Sequence, residues 1–192
     1  MTRMFTILLP FNTSDGKTSV SFKIKDISPS PQQVSDFFSI DSLIKVCVTN
    51  AEAINGSLKS YILQLLCNNQ DERQIIRFMD FMNLKDYLVD YIKKNKHLQQ
   101  IPITDTPEKF KTFRKDFNAF ILDRNIYTHG QLKFFRPTSQ FVIQYDKKPS
   151  GTPGYVVVNS EILISYNKYY LTLQQFLVDF HKLYNEIKKS IK

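Results

Sequence analysis

The first third of the chain changes from an alternating hydrophobic pattern to a helical one. Val20, Phe22 and Ile24 alternate with polar residues, the period of a half-buried strand, so residues 1–31 are expected to be extended. Residues 32–67 carry apolar side chains at steps of three or four, which predicts a helix. Asn55-Gly56 is a candidate interruption of it. The apolar positions are Phe37, Ile40, Ile44, Cys47, Ile54, Leu58, Ile62 and Leu65.

Two further helices follow in the pattern. Asp71 and Glu72 stand where negative charge favours the start of a helix, and the apolar spacing then continues to about Lys96. Thr106-Pro107-Glu108 is a strong start signal, because it combines an N-cap oxygen, a proline for the first turn and an acid. The helix that it opens is expected to run to about Gly130.

After Pro137 the hydrophobic period changes to two. Strands are expected at residues 141–145 and 155–158, joined by a turn over residues 147–154 that contains two prolines and two glycines. Residues 161–166 are a candidate third strand. Thr172-Leu173-Gln174-Gln175 has the form of a capping box and is expected to open the final helix.

Together these elements predict a mainly α protein. A length of 192 residues fits one domain, so residues 1–192 are expected to form a single core. It would comprise an extended N-terminal segment (1–31), a helical core (32–136), a small β-hairpin appendage (137–170) and a C-terminal helix (171–192). The expected architecture is a bundle of about four helices with the hairpin before the last one.

The charge narrows the choice of partner. The net charge of +8 favours an anionic partner, with nucleic acid first among the candidates. However, the lysines near residues 93–96 and 188–192 lie at predicted helix ends, where cations are favourable in any protein. A solvated, lysine-rich surface therefore remains an alternative.

The remaining composition argues against several classes of protein. Cys47 and Cys67 lie in helical patterns without clustered ligands, which predicts two buried free thiols in a reducing cytoplasm. No stretch has the roughly 18 apolar residues of a membrane span, and no signal peptide is evident. No phosphate loop, metalloprotease motif or paired carboxylates appear, so neither a metal nor a cofactor is expected.

The sharpest chemical signal lies at the end of the third predicted helix. Phenylalanines at helical spacing form a stripe that is expected to pack in the core. If the helix continues, Arg124 lies at the centre of the same stripe, where another apolar residue is expected. A guanidinium on a buried face requires an anion. Either Arg124 forms a structural ion pair, or it faces a cleft or subunit interface where a phosphate binds. The conceivable intramolecular partners are Asp80, Asp86 and Asp116.

The neighbours of Arg124 favour a functional site. Asn125 and His129 are four residues apart, so they share one face of the helix beside Arg124. An amide, an imidazole and a guanidinium are thus offered to one ligand. His97, at a helix end, and His181, beside an apolar stripe, are weaker candidates for chemistry.

The segment Arg124-Asn125-Ile126-Tyr127-Thr128-His129, followed by Gly130, resembles the motif of HEPN-family proteins. The resemblance covers roughly residues 32–135, with detailed similarity over residues 123–130. It implies a HEPN-like helical bundle, usually a homodimer with a composite site at its interface. Many such proteins are metal-independent ribonucleases of toxin–antitoxin and phage-defence systems.

By this resemblance, Arg124, Asn125 and His129 would be catalytic, and Tyr127, Thr128 and Arg136 would support substrate binding. The expected partner is RNA, with a cognate antitoxin or other regulatory protein as a further possibility. Two alternatives remain open. The bundle could bind nucleic acid or a nucleotide without cleaving it, or it could act only through a protein partner.

Overall fold

A computed structural model describes residues 29–67, 69–135, 138–147 and 151–190. The strand expected around Val20 to Lys25 lies outside these ranges. The protein is mainly helical, with five α-helices and a three-stranded antiparallel sheet before the C-terminal helix in the described part of the chain. The helices are α1 (Pro31–Tyr61), α2 (Gln70–Phe78), α3 (Phe81–Lys94), α4 (Pro107–His129) and α5 (Ser160–Ser190).

Helix α1 confirms the helix predicted over residues 32–67, although its α-helical part ends at Tyr61. It starts with a capping box in which Ser30 and Gln33 bond to each other's backbone N–H groups. Asn55-Gly56 does not interrupt it, because burial of the flanking Ile54 and Leu58 outweighs the low helix propensity of one glycine. A π-helical turn, Ile62–Leu66, continues it.

The second predicted helix is two helices. Helix α2 ends at Phe78 and α3 begins at Phe81, with the side chain of Asp80 accepting the Asn83 N–H at 2.8 Å. The prediction missed this break because an N-cap aspartate inside a continuous apolar pattern resembles an ordinary polar position. A short 3₁₀-helix, Lys96–Gln100, follows α3.

Helix α4 begins as predicted, with Thr106 accepting the Lys109 N–H at 3.2 Å and Pro107 in the first turn. Its phenylalanine stripe is core. Phe113, Phe117 and Phe120 are at most 2% exposed. They pack against α3 and α5, where Phe113 meets Phe176 with ring centroids 4.5 Å apart.

The sheet has the order β1-β2-β3, with strands β1 (Gln131–Phe135), β2 (Gln140–Lys147) and β3 (Thr152–Val158). The two predicted strands correspond to β2 and β3, while β1 was missed and was counted with the helical core. One face packs on the helices, as the contact between Phe37 and Phe141 shows. The side chains on that face are Leu132, Phe134, Phe141, Ile143, Val156 and Val158.

The third strand considered at residues 161–166 is wrong, and so is the helix start at Thr172. Both segments belong to α5, whose first turn is capped by Asn159 accepting the Ile162 N–H at 2.8 Å. The Thr172 hydroxyl donates instead to the carbonyl of Lys168 within the helix. The β appendage therefore spans residues 131–158 and the C-terminal helix begins at Ser160.

Candidate functional site

Arg124 is held by a carboxylate on α1. Its Nε donates to Oε1 of Glu52 at 2.6 Å, and its Nη2 donates to the same oxygen. An anion was expected near this guanidinium because Arg124 continues the apolar stripe of α4. The chain supplies it as Glu52, and not as Asp80, Asp86 or Asp116. Glu52 was missed because it lies 72 residues away and nothing in the local pattern distinguishes it from other polar positions of α1.

The ion pair leaves part of the guanidinium available. A guanidinium has five N–H donors, of which two bond Glu52 and one, on Nη1, bonds Oδ1 of Asn125 at 2.7 Å. One N–H on each of Nη1 and Nη2 remains. Since the side chain of Arg124 is 21% exposed, these two donors can meet an oxygen of a ligand at the surface of the bundle.

Asn125 and His129 lie together on the exposed side of α4, as their spacing predicted. Because Asn125 uses its carbonyl oxygen to accept from Arg124, its amide N–H groups are left for a ligand. His129 stands in the last helical turn, directly before Gly130, whose N–H closes the helix on the Ile126 carbonyl at 2.8 Å. Thr128 is also exposed, with its hydroxyl donating to the Arg124 carbonyl at 2.8 Å.

Tyr127 does not join this group. It lies about 200° around the helix from His129 and is buried against Tyr166, with ring centroids 5.3 Å apart. Burial, followed by the nearby Asp123, raises the pKa of its phenol. Arg136, the other predicted supporting residue, lies outside the described residues.

Three cations lie on the same face of α4 as His129, 14 to 18 residues before it. Lys111, Arg114 and Lys115 are exposed and lie within about 60° of His129 around the helix axis. Lys111 precedes His129 by 18 residues, which is about five turns, so both point the same way. We call Lys111, Arg114, Lys115, Asn125 and His129 the α4 stripe. Sequence reasoning missed its basic half because it considered only the apolar face of this helix.

The other histidines and the thiols lie elsewhere. His97 is exposed on the 3₁₀-helix, and His181 packs on Tyr61 with ring centroids 5.1 Å apart. The prediction of two buried free thiols is confirmed for Cys47 and Cys67. Burial raises the pKa of Cys47 to about 11, which keeps it protonated and unreactive near neutral pH.

The described residues form neither a membrane-spanning helix nor a cluster of metal ligands. No helix there is both long and apolar enough to cross a membrane. No three His, Cys, Asp or Glu side chains there are grouped so that they could hold a metal ion.

Comparisons of the chain with models of protein families, with curated proteins and with solved structures found no match.

Proposed function

We propose that this protein is a metal-independent endoribonuclease of the HEPN type that binds RNA along the α4 stripe. One observation carries the proposal. His129 and Asn125 share an exposed helix face with Lys111, Arg114 and Lys115, next to a partly exposed Arg124. Clustered cations on an exposed helix face suit a phosphate backbone, and the imidazole further along the same face supplies a group for chemistry.

The reaction needs few groups. The 2′-hydroxyl of RNA loses its proton and attacks the adjacent phosphorus, the bond from phosphorus to the 5′-oxygen breaks, and that oxygen gains a proton. The products are a 2′,3′-cyclic phosphate and a 5′-hydroxyl. His129 would move one of the two protons, because histidine is the side chain that most often serves as an acid or base in enzymes. The two remaining N–H donors of Arg124 would stabilise the charge on the phosphorane oxygens.

Glu52 gives Arg124 a defined position in this scheme. A guanidinium held through two of its nitrogens is already oriented before a substrate binds, so less side-chain freedom is lost on binding. The Nη1 bond to the Asn125 carbonyl oxygen in turn restrains the amide and leaves its N–H groups free of that bond. Asn125 would then donate to the phosphate or to His129.

A second copy of the chain would complete the site. Cleavage uses one base and one acid, and one stripe holds one histidine. Leu122 is 54% exposed on the same side of α4, between the basic residues and Asn125. An apolar side chain there suits an interface, so we propose a homodimer in which two stripes face each other.

A non-catalytic alternative is favoured by a different observation. Arg124 is already neutralised by Glu52, and such a pair can serve the fold alone. In that case the α4 stripe binds RNA without cleaving it, and His129 contributes affinity only.

The deciding experiment compares wild type with His129→Ala and His97→Ala. His97 is the matched control because it is an exposed histidine outside the α4 stripe. Each protein is incubated with total RNA in EDTA, and the new ends are mapped. The nuclease hypothesis expects cyclic-phosphate ends from wild type and His97→Ala, and none from His129→Ala.

The other outcomes have definite meanings. Fragments with 3′-hydroxyl ends, or cleavage that EDTA abolishes, would contradict this mechanism. Intact RNA with all three proteins, together with binding that is weakened only in His129→Ala, would assign the stripe to the binding alternative. Intact RNA without binding by any of them would leave neither reading standing for the purified protein, and a partner would have to be sought by co-purification.

A further inference from the structure

Helix α5 carries apolar side chains on two opposite sides. One side packs on the other helices, where Phe180 is fully buried. Ile164, Leu171 and Val178 lie on the solvent side, with 47%, 59% and 39% of their surface exposed. Leu171 is about 180° around the helix from Phe180. We call Ile164, Leu171 and Val178 the α5 row. Because an apolar stripe on a helix normally faces another element, the α5 row is expected to be covered.

The spacing of the α5 row distinguishes it from single exposed apolar residues, which are common on protein surfaces. Its members are seven residues apart, so successive side chains differ by only about 20° around the helix. The row extends for about 21 Å along α5. Apolar side chains that repeat every seven residues are the pattern by which two helices pack side by side. The α5 row therefore fits a second helix of similar length.

The α5 row is complementary to itself in the antiparallel direction. Leu171 is its middle member. When two copies of α5 pack in opposite directions about a twofold axis at Leu171, Ile164 of each copy lies opposite Val178 of the other. The two Leu171 side chains then meet on the axis. This pairing covers all three apolar side chains of both copies and requires no other protein.

The charges beside the α5 row match the same arrangement. Glu161, Lys168, Gln175 and Lys182 are exposed and follow one flank of the row. In an antiparallel pair related by a twofold axis, this flank meets the same flank of the other copy in reverse order. Glu161 then lies beside Lys182 of the other copy, which places opposite charges together. Lys168 lies beside Gln175, so neither pairing brings like charges together.

We infer that this face of α5 is a contact surface for a second copy of the chain, packed antiparallel about Leu171. The contact uses none of the residues of the α4 stripe and does not rest on the proposed nuclease. It is therefore separate from the dimer proposed for RNA cleavage. Two separate twofold contacts would join more than two chains into one assembly.

Leu171→Cys tests the contact in the 192-residue chain, because it places two thiols opposite each other on the twofold axis. Mild oxidation is expected to give a disulfide-linked dimer of twice the 22.6 kDa chain. Ser165→Cys is the matched control, since Ser165 is exposed on α5 about 120° around the helix from Leu171. Cys47 and Cys67 are buried and should not compete. Absence of cross-linking in Leu171→Cys, or equal cross-linking in both variants, would overturn the proposal.

A charge exchange tests the antiparallel direction by sedimentation equilibrium at low ionic strength. Glu161→Lys and Lys182→Glu should each weaken self-association by about three- to tenfold, because each brings like charges together at two places in the pair. They do so although they change the net charge of the chain in opposite directions. The double variant should associate as wild type does, since its pairing again joins opposite charges.

Three results of the charge exchange would overturn the antiparallel contact. They are a monomeric wild type, single variants that associate as wild type does, and a double variant that does not recover. None of these measurements involves RNA. The α5 contact and the proposed nuclease can therefore fail separately.

Discussion

Glu52 on α1 and Arg124 on α4 tie together two helices that are distant in sequence, through a carboxylate–guanidinium pair with an Nε–Oε1 distance of 2.6 Å. The side chains of Arg124 and Glu52 are 21% and 43% exposed, respectively, so solvent screens the attraction in part. The pair lies at the rim of the core, where the phenylalanine stripe of α4 reaches the surface. The ion pair is therefore expected to orient Arg124 while adding only modestly to the stability of the fold.

For this pair we expect a modest but measurable coupling. Glu52→Gln, Arg124→Met and the double variant, unfolded in urea, should give a coupling free energy of about 0.5–1 kcal/mol. The Asp105–Lys109 pair is a suitable control, because its lysine is 54% exposed and a smaller coupling is expected there. A Glu52–Arg124 coupling no larger than that of the control would show that the ion pair stabilises the fold no more than an exposed surface pair does.

The basic half of the α4 stripe should govern the salt dependence of RNA binding. Lys111→Ala and Lys115→Ala should each weaken binding and reduce the slope of log affinity against log salt by about 0.7, the value for one phosphate contact on a single strand. Fluorescence anisotropy with a labelled single-stranded RNA measures this, in a His129→Ala background so that the RNA stays intact. Lys188→Ala changes an exposed lysine of α5 and should leave the slope unchanged. Equal slopes in all variants would remove the stripe from the RNA-binding surface.

Asn125 and Tyr127, both in the predicted motif, lie on different sides of α4, and Asn125 is exposed whereas Tyr127 is buried. Asn125→Ala should reduce the single-turnover cleavage rate of the proposed nuclease by about 10- to 100-fold, because it removes an amide donor that Arg124 restrains on the exposed side of α4. Tyr127→Phe should change that rate by less than about twofold, since Tyr127 is buried against Tyr166 on the other side of α4. A large loss in Tyr127→Phe with normal activity in Asn125→Ala would reverse the assignment.

Helix α4 and strand β2 could be predicted because capping residues and hydrophobic periodicity within each segment determine the element. The Thr106-Pro107 start of α4, the helical spacing of its phenylalanines and the alternation of β2 all determine one element without help from the rest of the chain. The segment at residues 161–166 is different, because a short apolar run fits a strand or a buried helix equally well. There the Asn159 cap and burial of Leu163 and Tyr166 against the other helices decide the outcome.

Only the part of the candidate site that lies on α4 itself could be predicted from the sequence. The shared face of Asn125 and His129 follows from a spacing of four residues. The Glu52 partner of Arg124 and the contact of Tyr127 with Tyr166 depend on how α1 and α5 pack against α4, and no local pattern contains that information. Strand β1 was missed for a related reason, since its residues pair only when β2 folds back along them.

Gly130 and Gly56 are expected to have opposite effects on stability when they are replaced by alanine. A Cβ on Gly130 would collide with Cγ2 of Ile143 and lie 2.6 Å from the Ile126 carbonyl oxygen, whereas one on Gly56 would meet nothing within 4 Å. Gly130→Ala should therefore lower the free energy of unfolding by about 1–3 kcal/mol through overpacking. Gly56→Ala, in the middle of α1, should raise it by about 0.5–1 kcal/mol through helix propensity.

Thermal and urea unfolding of both variants measure these changes. The pair also separates two explanations for the small residue after His129. If Gly130→Ala is destabilised as expected, the glycine is required because β2 packs directly on the end of α4. Stability equal to wild type, with RNA cleavage lost, would instead assign Gly130 to the approach of the substrate to His129.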